Sequence, residues 1–203
     1  MKMNDFLKKM TLMVFAVTTM FAVSCGSEDD DNGNVPTPVG INADSPDGTR
    51  GFHGGRECVV VTLKGKKYAV ATKNLGAEKE TDFGNYYVFD ELRNPSNIGV
   101  SVVSTEWHVP THAELESFAA LANEWATLDD INGRKWNIGS TYIFLPAAGN
   151  YGYLQGDNGC YWSSTEKDAD KAYYMLFSNN NCSITIDNQT TSLTIRPFCA
   201  LAK

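Results

Sequence analysis

The stretch that decides the fold runs from Phe144-Leu-Pro-Ala-Ala-Gly149, through a Gly/Tyr-rich loop, to Gly159-Cys-Tyr-Trp-Ser-Ser-Thr165. An apolar run leads into this stretch and an aromatic run leaves it, and both patterns are typical of β-strands. The small residues between them allow the backbone to approach its neighbours closely. We therefore expect the segments on either side to pack around this junction.

Residues 1–24 have the features of a signal peptide. Basic residues up to Lys9 precede an apolar run that ends at Val23 and is too short to span a membrane comfortably. Small residues then precede a single cysteine, Cys25, so the segment resembles the leader of a bacterial lipoprotein. That resemblance implies that Cys25 is the lipidated N-terminus and the anchor to the membrane. An ordinary secretory leader followed by an incidental cysteine is the alternative.

Residues 25–56 are predicted to form a flexible linker, because they are rich in Gly, Pro, Asn and Asp and lack apolar periodicity. The acidic run Glu28-Asp-Asp-Asp31 fits a solvated tether. It also resembles the surface-export signal of lipoproteins from Bacteroides-like bacteria. We expect an outer-membrane lipoprotein exposed at the cell surface, with a periplasm-facing orientation as the alternative.

The net charge of the chain is −7, and removal of the basic leader would make it more acidic. Binding to a phosphate backbone requires clustered Lys and Arg side chains. We therefore expect no nucleic-acid partner. The sequence leaves the oligomeric state open.

Residues 57–203 are predicted to form the folded domain, which begins with a hairpin. Two β-branched runs, 57–63 and 68–72, flank the turn Lys64-Gly-Lys66. Further strands are predicted at 172–177, 182–186 and 192–199, with a polar connection at 129–140.

One helix is predicted to begin after Thr111, because Thr111 and Glu114 have the spacing of a capping box. Apolar residues at helical spacing would extend it to Trp125. Those residues are Leu115, Phe118, Ala119, Ala122 and Trp125.

Five motifs occur in order along the domain: Tyr68-Ala-Val-Ala-Thr-Lys-Asn-Leu-Gly-Ala77, Trp107-His-Val-Pro-Thr-His-Ala-Glu-Leu115, Phe144-Leu-Pro-Ala-Ala-Gly149, Gly159-Cys-Tyr-Trp-Ser-Ser-Thr165 and Ile195-Arg-Pro197. Together they resemble the Fibrobacter succinogenes major paralogous domain family, over roughly residues 57–200. The resemblance implies a C-type lectin-like α+β fold, in which one or two helices pack on a twisted, mostly antiparallel sheet and the terminal strands lie close together. It assigns structural roles to Trp107, Pro110, Thr111, Glu114, Pro146, Gly149, Trp162, Ser163, Ser164 and Arg196.

Four cysteines remain once Cys25 is lipidated, and four cysteines allow three pairings. Lectin-like folds pair their first and last strands, so the resemblance implies a Cys58–Cys199 disulfide, with Cys160 beside Cys182. Buried free thiols are the alternative. The chain lacks Cys-x-x-Cys spacing, which argues against a zinc site and redox chemistry.

The loop between the two halves of the deciding stretch is the candidate binding site. Tyrosine, glycine and asparagine give adaptable contact surface, and tyrosine rings can stack on sugar faces. A structural loop with packed tyrosines is the alternative. The candidate ligand-binding residues are Tyr151, Tyr153, Gln155, Asp157 and Asn158.

No catalytic, cofactor-binding or metal-binding residue is predicted. His108 and His112 are separated by Pro110 and do not share a helical face, and no nucleophile elbow surrounds Ser163. The expected function is a non-catalytic recognition module for a glycan or protein partner. The alternatives are a structural accessory subunit of a surface or envelope assembly and, less favoured, an enzyme.

Overall fold

The structure, a computed structural model, describes residues 39–94, 98–99 and 107–202. The predicted signal peptide, the lipidation site Cys25 and the acidic run lie outside the described residues. Within the described ranges, no helix has the length and apolar character needed to cross a membrane.

The described part of the chain contains eleven strands and two short helices. In chain order these are β1 (Arg50–His53), β2 (Arg56–Leu63), β3 (Lys66–Ala71), α1 (Phe89–Leu92), β4 (Trp107–His108), α2 (His112–Ala119), β5 (Asn123–Leu128), β6 (Ile131–Ile138), β7 (Thr141–Pro146), β8 (Gly159–Glu166), β9 (Lys171–Phe177), β10 (Cys182–Asn188) and β11 (Phe198–Ala200).

These strands form three antiparallel sheets. The largest has the order β1-β2-β3-β11-β4, and the two smaller sheets have the orders β10-β9-β8 and β5-β6-β7. The described residues are 47% strand and 8% helix, so this part of the chain is closer to all-β than to α+β. The predicted α+β, C-type lectin-like fold class is therefore wrong. One difference is that α2 is shorter than predicted and the segment after it forms a strand.

Helix α2 begins where it was predicted to begin and ends early. The Thr111 hydroxyl accepts a hydrogen bond from the Glu114 amide, and the Glu114 carboxylate accepts one from the Thr111 amide, which confirms the capping box. Asn123 then donates its side-chain amide to the carbonyls of Ala119 and Leu121 at 3.1 and 2.6 Å. This bonding satisfies carbonyls that the end of a helix leaves free. Trp125 consequently lies in β5 and not on the helix.

The predicted polar connection at 129–140 is largely strand. Asp129 and Asp130 both have positive φ, 49° and 62°, as the two-residue turn of a tight hairpin requires. They join β5 to β6, and β6 pairs along its length with β7. Trp136 in β6 is fully buried and stacks on Phe118 of α2 with ring centroids 4.8 Å apart.

The early hairpin and part of the late meander are confirmed. β2 pairs with β3 around the Lys64-Gly65 turn, and β9 pairs with β10. The predicted strand 192–199 is wrong over most of its length, because only its last two residues enter β11. Before β11, Leu193 and Thr194 form isolated bridges.

Two hydrophobic cores lie on opposite faces of the sheets. Along β2, Cys58 and Val60 face the first core, whereas Val59 and Val61 face the second. A strand that is buried on both faces is a continuous apolar run in sequence, which explains the composition of β2. The first core also contains residues of α1, and the second contains residues of α2.

The folded unit begins before the predicted boundary at residue 57. Strand β1 pairs with β2 in the largest sheet. Ile41 is 5% exposed in the first core, and its amide donates to the Phe52 carbonyl at 2.9 Å. The described residues from 39 onward therefore belong to the domain and not to the linker.

Strand register argues against the Cys58–Cys199 disulfide. Cys58 lies opposite Ala71 of β3, and Cys199 lies opposite Ala69 on the other side of the same strand. Two strand spacings amount to about 9.6 Å, which exceeds the Cα separation of about 7 Å that a disulfide can bridge. The predicted pairing is therefore wrong.

The Cys160–Cys182 pairing fails for a second reason. Cys160 lies opposite Leu176 of β9, whereas Cys182 lies opposite Phe177. Adjacent residues of a strand point to opposite faces of its sheet, so the two cysteines face different cores. Cys160 and Cys182 are free thiols, and burial raises the pKa of Cys160 to about 12 and that of Cys182 to about 11.

Candidate functional site

The segment 147–158, here called the tyrosine loop, connects β7 to β8 and is held at its base by backbone hydrogen bonds. The Gly149 amide donates to the Asn158 carbonyl, and the Gly156 amide donates to the Ala147 carbonyl, each at 2.7 Å. Gly149 has φ +61°, and a Cβ there would lie 2.2 Å from the Tyr153 carbonyl oxygen. The Ala-Ala-Gly motif therefore requires glycine at its third position.

The tip of the tyrosine loop presents two aromatic rings to solvent. Tyr151 is 76% exposed and Tyr153 is 64% exposed. The amides of Asn150 and Tyr153 each donate to the carbonyl of the other, at 3.1 and 2.9 Å, and the Tyr151 amide donates to the Ser192 carbonyl at 3.1 Å. The rings are thus exposed on a backbone that is fixed by hydrogen bonds, which lowers the entropy lost on binding.

Gln155 supports the loop from below. Its side-chain amide donates to the Tyr86 hydroxyl at 2.6 Å, and that hydroxyl donates to the Ala148 carbonyl at 2.5 Å. The Tyr86 ring meets the Tyr151 ring at 77°, with centroids 5.5 Å apart. Burial raises the pKa of Tyr86, although the hydrogen bond from Gln155 opposes the shift. The hydroxyl therefore stays protonated and fixes the position of Tyr86 beside Tyr151.

A cleft of about 540 Å³ lies beside Tyr151 and is here called the tyrosine cleft. Its volume falls within the range of about 300–1,000 Å³ that is typical of small-molecule sites. Another cleft, of about 580 Å³, lies near Ala43 and Leu201, but none of its described lining residues is aromatic. The tyrosine cleft is lined by Gly84, Asn85, Tyr86, Tyr87, Glu91, Tyr151 and Ser192.

Only one of the five predicted binding residues lines this cleft. Tyr151 does so, whereas Gln155 is used to hold Tyr86. Tyr153 and Asp157 are exposed outside the cleft, and the amides of Asp157 and Asn158 donate to the Leu154 carbonyl. The predicted residues therefore do not form a single site.

The other wall of the cleft is formed by residues that are distant in sequence from the tyrosine loop. These residues were not predicted to bind a ligand. Asn85, Tyr86 and Tyr87 precede α1, and Glu91 lies within it. The aromatic run at 86–89 is the sequence signal that could have indicated this wall. Because Tyr87 and Phe89 are buried, the same run also serves the first core.

The motif residues Arg196 and Pro146 belong to a buried polar network. Arg196 is 1% exposed. Its Nε donates to Asn74 Oδ1 at 2.9 Å, and its Nη atoms donate to the carbonyls of Ala71, Thr72 and Phe144. Burial lowers the pKa of Arg196 to about 10, with an opposing contribution from Tyr161.

Tyr161 extends the network to the tyrosine loop. Its hydroxyl donates to the Pro146 carbonyl at 2.7 Å and accepts a hydrogen bond from the Asn74 side-chain amide at 3.2 Å. Burial raises the pKa of Tyr161, and the nearby Arg196 charge opposes this shift. The network joins the ends of β3 and β7 to β8, so it fixes the base from which the tyrosine loop projects.

The other motif residues also make contacts within the protein. The Trp162 indole donates to the Tyr87 carbonyl at 2.8 Å, and the Trp107 indole donates to the His53 carbonyl at 3.2 Å. The Ser163 hydroxyl donates to the Tyr173 carbonyl at 2.8 Å. The Ser164 amide donates to the carbonyl of Pro110, also at 2.8 Å.

Glu114 is the most strongly perturbed carboxylate in the described residues. Burial alone would raise its pKa, but hydrogen bonds from His108 and Thr111 outweigh burial and lower the pKa to about 2. An ionised carboxylate that caps a helix is poorly suited to act as a general acid. His112 stacks on Tyr173 with ring centroids 4.2 Å apart. In the described ranges, no group of three or more His, Cys, Asp or Glu side chains is placed to hold a metal ion.

Residues 119–198 match a family model described as a domain of unknown function, DUF8237. The matched segment contains the tyrosine loop and strands β5 to β10, but not the cleft wall at 84–91. No curated protein and no solved structure matches the chain. The resemblance to the Fibrobacter paralogous family stays a prediction.

Proposed function

We propose that this protein is a lipid-anchored, extracytoplasmic recognition module that binds a glycan or protein partner through its tyrosine loop and catalyses no reaction. The observation that carries the proposal is the exposure of Tyr151 and Tyr153, 76% and 64%, on a loop whose backbone is hydrogen-bonded in place. Tyrosines are favoured in binding surfaces because a large amphipathic ring is immobilised at low entropic cost. The adjoining tyrosine cleft gives a ligand a concave surface to enter.

A binding assay on intact cells tests this role. Cells that display the full chain are incubated with labelled glycans and with labelled surface extract, and a Tyr151→Ala/Tyr153→Ala double variant is compared with them. We expect the double variant to lose capture, whereas Phe52→Ala retains it. Phe52 is 44% exposed on β1, so its replacement controls for the loss of exposed aromatic surface. Equal capture by all three proteins would refute the proposal.

The lipid anchor is supported by the leader and by the position of Cys25 directly after it. Metabolic labelling with a radioactive fatty acid is expected to label the wild-type chain and not Cys25→Ser. Protease added to intact cells then tests orientation, since digestion of the domain while periplasmic proteins survive indicates the outer surface. Fatty-acid labelling of Cys25→Ser at the wild-type level would disprove anchoring at Cys25.

A structural subunit of a surface assembly is the second candidate, and strand β10 favours it. β10 lies at the end of its sheet, and Ile186 on it is 39% exposed. An edge strand of this kind can pair with a strand of another chain. Co-purification with a partner at fixed stoichiometry, lost in Ile186→Lys, is the expected result, and a strictly monomeric protein in native membranes would exclude it.

A further inference from the structure

We infer that the tyrosine cleft binds an uncharged carbohydrate, with the Tyr151 ring as the surface on which a sugar ring stacks. The inference rests on the proposed recognition function and makes it more specific. It assigns the ligand to the cleft between the tyrosine loop and α1, and it separates the roles of the two exposed tyrosines. Tyr151 lines the cleft, whereas Tyr153 does not.

The position of Tyr151 suits stacking. Its ring contacts Tyr86 at 77°, yet the residue remains 76% exposed, so most of its surface is open. The Tyr86 hydroxyl is fixed by Gln155 and Ala148, and the Tyr151 amide is bonded to Ser192. The apolar face of a pyranose ring packs on an aromatic ring of this kind through the hydrophobic effect.

Polar groups face the same cleft and match the hydroxyl groups of a sugar. Glu91 Oε2 accepts a hydrogen bond from the Val88 amide at 2.9 Å. Within the described residues Oε1 accepts none, which leaves it available to a ligand hydroxyl. Asn85 is exposed and provides both donors and acceptors. One aromatic surface with a few polar groups at its side is a common composition for a small-ligand site.

The charge of the cleft selects among carbohydrates. None of its described lining residues is basic, and Glu91 gives it a carboxylate. A uronic acid or sulfated sugar would place like charge against Glu91, which is unfavourable. An uncharged oligosaccharide therefore fits this lining better than an acidic one.

Saturation-transfer NMR with oligosaccharides tests the inference. The full-length protein is kept in a detergent without a sugar headgroup and is mixed with cellohexaose, maltohexaose, mannohexaose or xylohexaose, and with hexagalacturonate as the acidic comparison. We expect saturation transfer to at least one neutral hexasaccharide for the wild type, for the conservative variant Tyr151→Phe and for the exposed-aromatic control Phe52→Ala. Tyr151→Ala is expected to bind about tenfold more weakly, a difference of about 1.4 kcal/mol. Because Tyr151 is exposed, its replacement is not expected to unfold the protein, so weaker binding would not reflect loss of folding. Thermal unfolding of each variant checks this.

Glu91→Gln provides an independent test of charge selection. Glutamine can still accept the Val88 amide hydrogen bond and preserve the α1 cap, but it removes the negative charge. We expect this variant to bind hexagalacturonate more tightly than the wild type does. The inference is overturned if the wild type binds no neutral hexasaccharide, if Tyr151→Ala binds as the wild type does, or if hexagalacturonate binds as well as the best neutral probe.

The outcomes also separate this inference from the proposed function. If intact cells capture a protein through the tyrosine loop while no neutral hexasaccharide binds, the carbohydrate assignment is wrong and the recognition role survives. If neither a glycan nor a protein is captured, both are wrong.

Discussion

Replacement of Arg196 with lysine is expected to destabilise the fold strongly. Arg196 is 1% exposed, and it donates hydrogen bonds of 2.5 to 3.0 Å to Asn74 Oδ1 and to the carbonyls of Ala71, Thr72 and Phe144. These acceptors come from the end of β3, from the segment that follows it and from β7. The guanidinium therefore connects two sheets at the base of the tyrosine loop.

The magnitude follows from the geometry of the two side chains. Lysine has one ammonium group in place of a planar fork, so it cannot reach acceptors on both sides of the network. At least two of the four acceptors would lose a hydrogen bond to a charged group, and each such bond is worth about 1.5–3 kcal/mol. The free energy of unfolding is therefore expected to fall by about 3–6 kcal/mol, against a total of about 5–15 kcal/mol for an ordinary domain.

Urea unfolding followed by tryptophan fluorescence measures the loss, because Trp136 and Trp162 are fully buried. Arg93→Lys is the matched control, since Arg93 is about half exposed, and its ion pairs with Asp90 and Glu166 lie at the surface. That control is expected to leave the free energy of unfolding nearly unchanged, because ion pairs at the surface contribute little to stability. If Arg196→Lys costs no more than the control, the network does not stabilise the fold as argued.

Three further predictions concern the helix cap, the loop and the cysteines. Because the pKa of Glu114 is lowered from 4.5 to about 2, its ionised form stabilises the fold above pH 4.5, and this contribution disappears as the pH falls toward 2. Glu114→Gln should therefore lower the free energy of unfolding at pH 7 by about 1–2 kcal/mol. It should also make the free energy of unfolding less dependent on pH between about 2 and 4.5, which urea titrations at several pH values measure. A pH dependence equal to that of the wild type would contradict this. Gly149→Ala should lower the free energy of unfolding by about 2–4 kcal/mol, because the added Cβ would clash with the Tyr153 carbonyl in a residue already strained by positive φ. Gly152→Ala is the control: it also has a positive φ, but no atom lies within 4 Å of its added Cβ, so it should cost only about 1–2 kcal/mol. Equal losses in the two variants would argue against the close contact at Gly149. Mass spectrometry of a non-reduced digest should find neither predicted disulfide, and a reductant should leave the urea midpoint unchanged.

Elements that depend on local chemistry could be predicted from the sequence. The β2–β3 hairpin has a two-residue turn containing Gly65, and α2 has its cap from Thr111 and Glu114. In each case, the signal lies within a few residues of the element that it defines. β9 and β10 were also found, because alternating apolar residues are separated there by a polar turn.

The sheet β5-β6-β7 could not be predicted, because its formation depends on partners elsewhere in the chain. Trp125 continues the apolar spacing of α2, but the Asn123 side chain ends the helix and Trp125 packs edge-on against Phe177 of β9. The turn at Asp129-Asp130 has the required positive φ values without the Asn-Gly or Asp-Gly sequence that usually indicates them. Tertiary pairing thus overrode the local helical pattern.

The disulfide predictions failed for a related reason. A pairing inferred from strands that are first and last in sequence assumes that those strands are neighbours. β3 lies between Cys58 and Cys199, so the assumption does not hold. Register also decides which face of a sheet a side chain occupies, and a difference of one residue separates Cys160 from Cys182.

The motifs that carry the sequence resemblance describe the buried frame of this domain and not the proposed binding surface. Arg196, Trp162 and Ser163 are almost completely buried, and their polar groups bond to backbone or side chains inside the fold. Tyr151 and Glu91, which face the tyrosine cleft, lie outside all five motifs. A chain could therefore keep every motif and bind a different ligand, because the frame positions the loop without selecting what the loop contacts. For this reason, substitutions at the cleft test the proposed function, whereas substitutions in the motifs test stability.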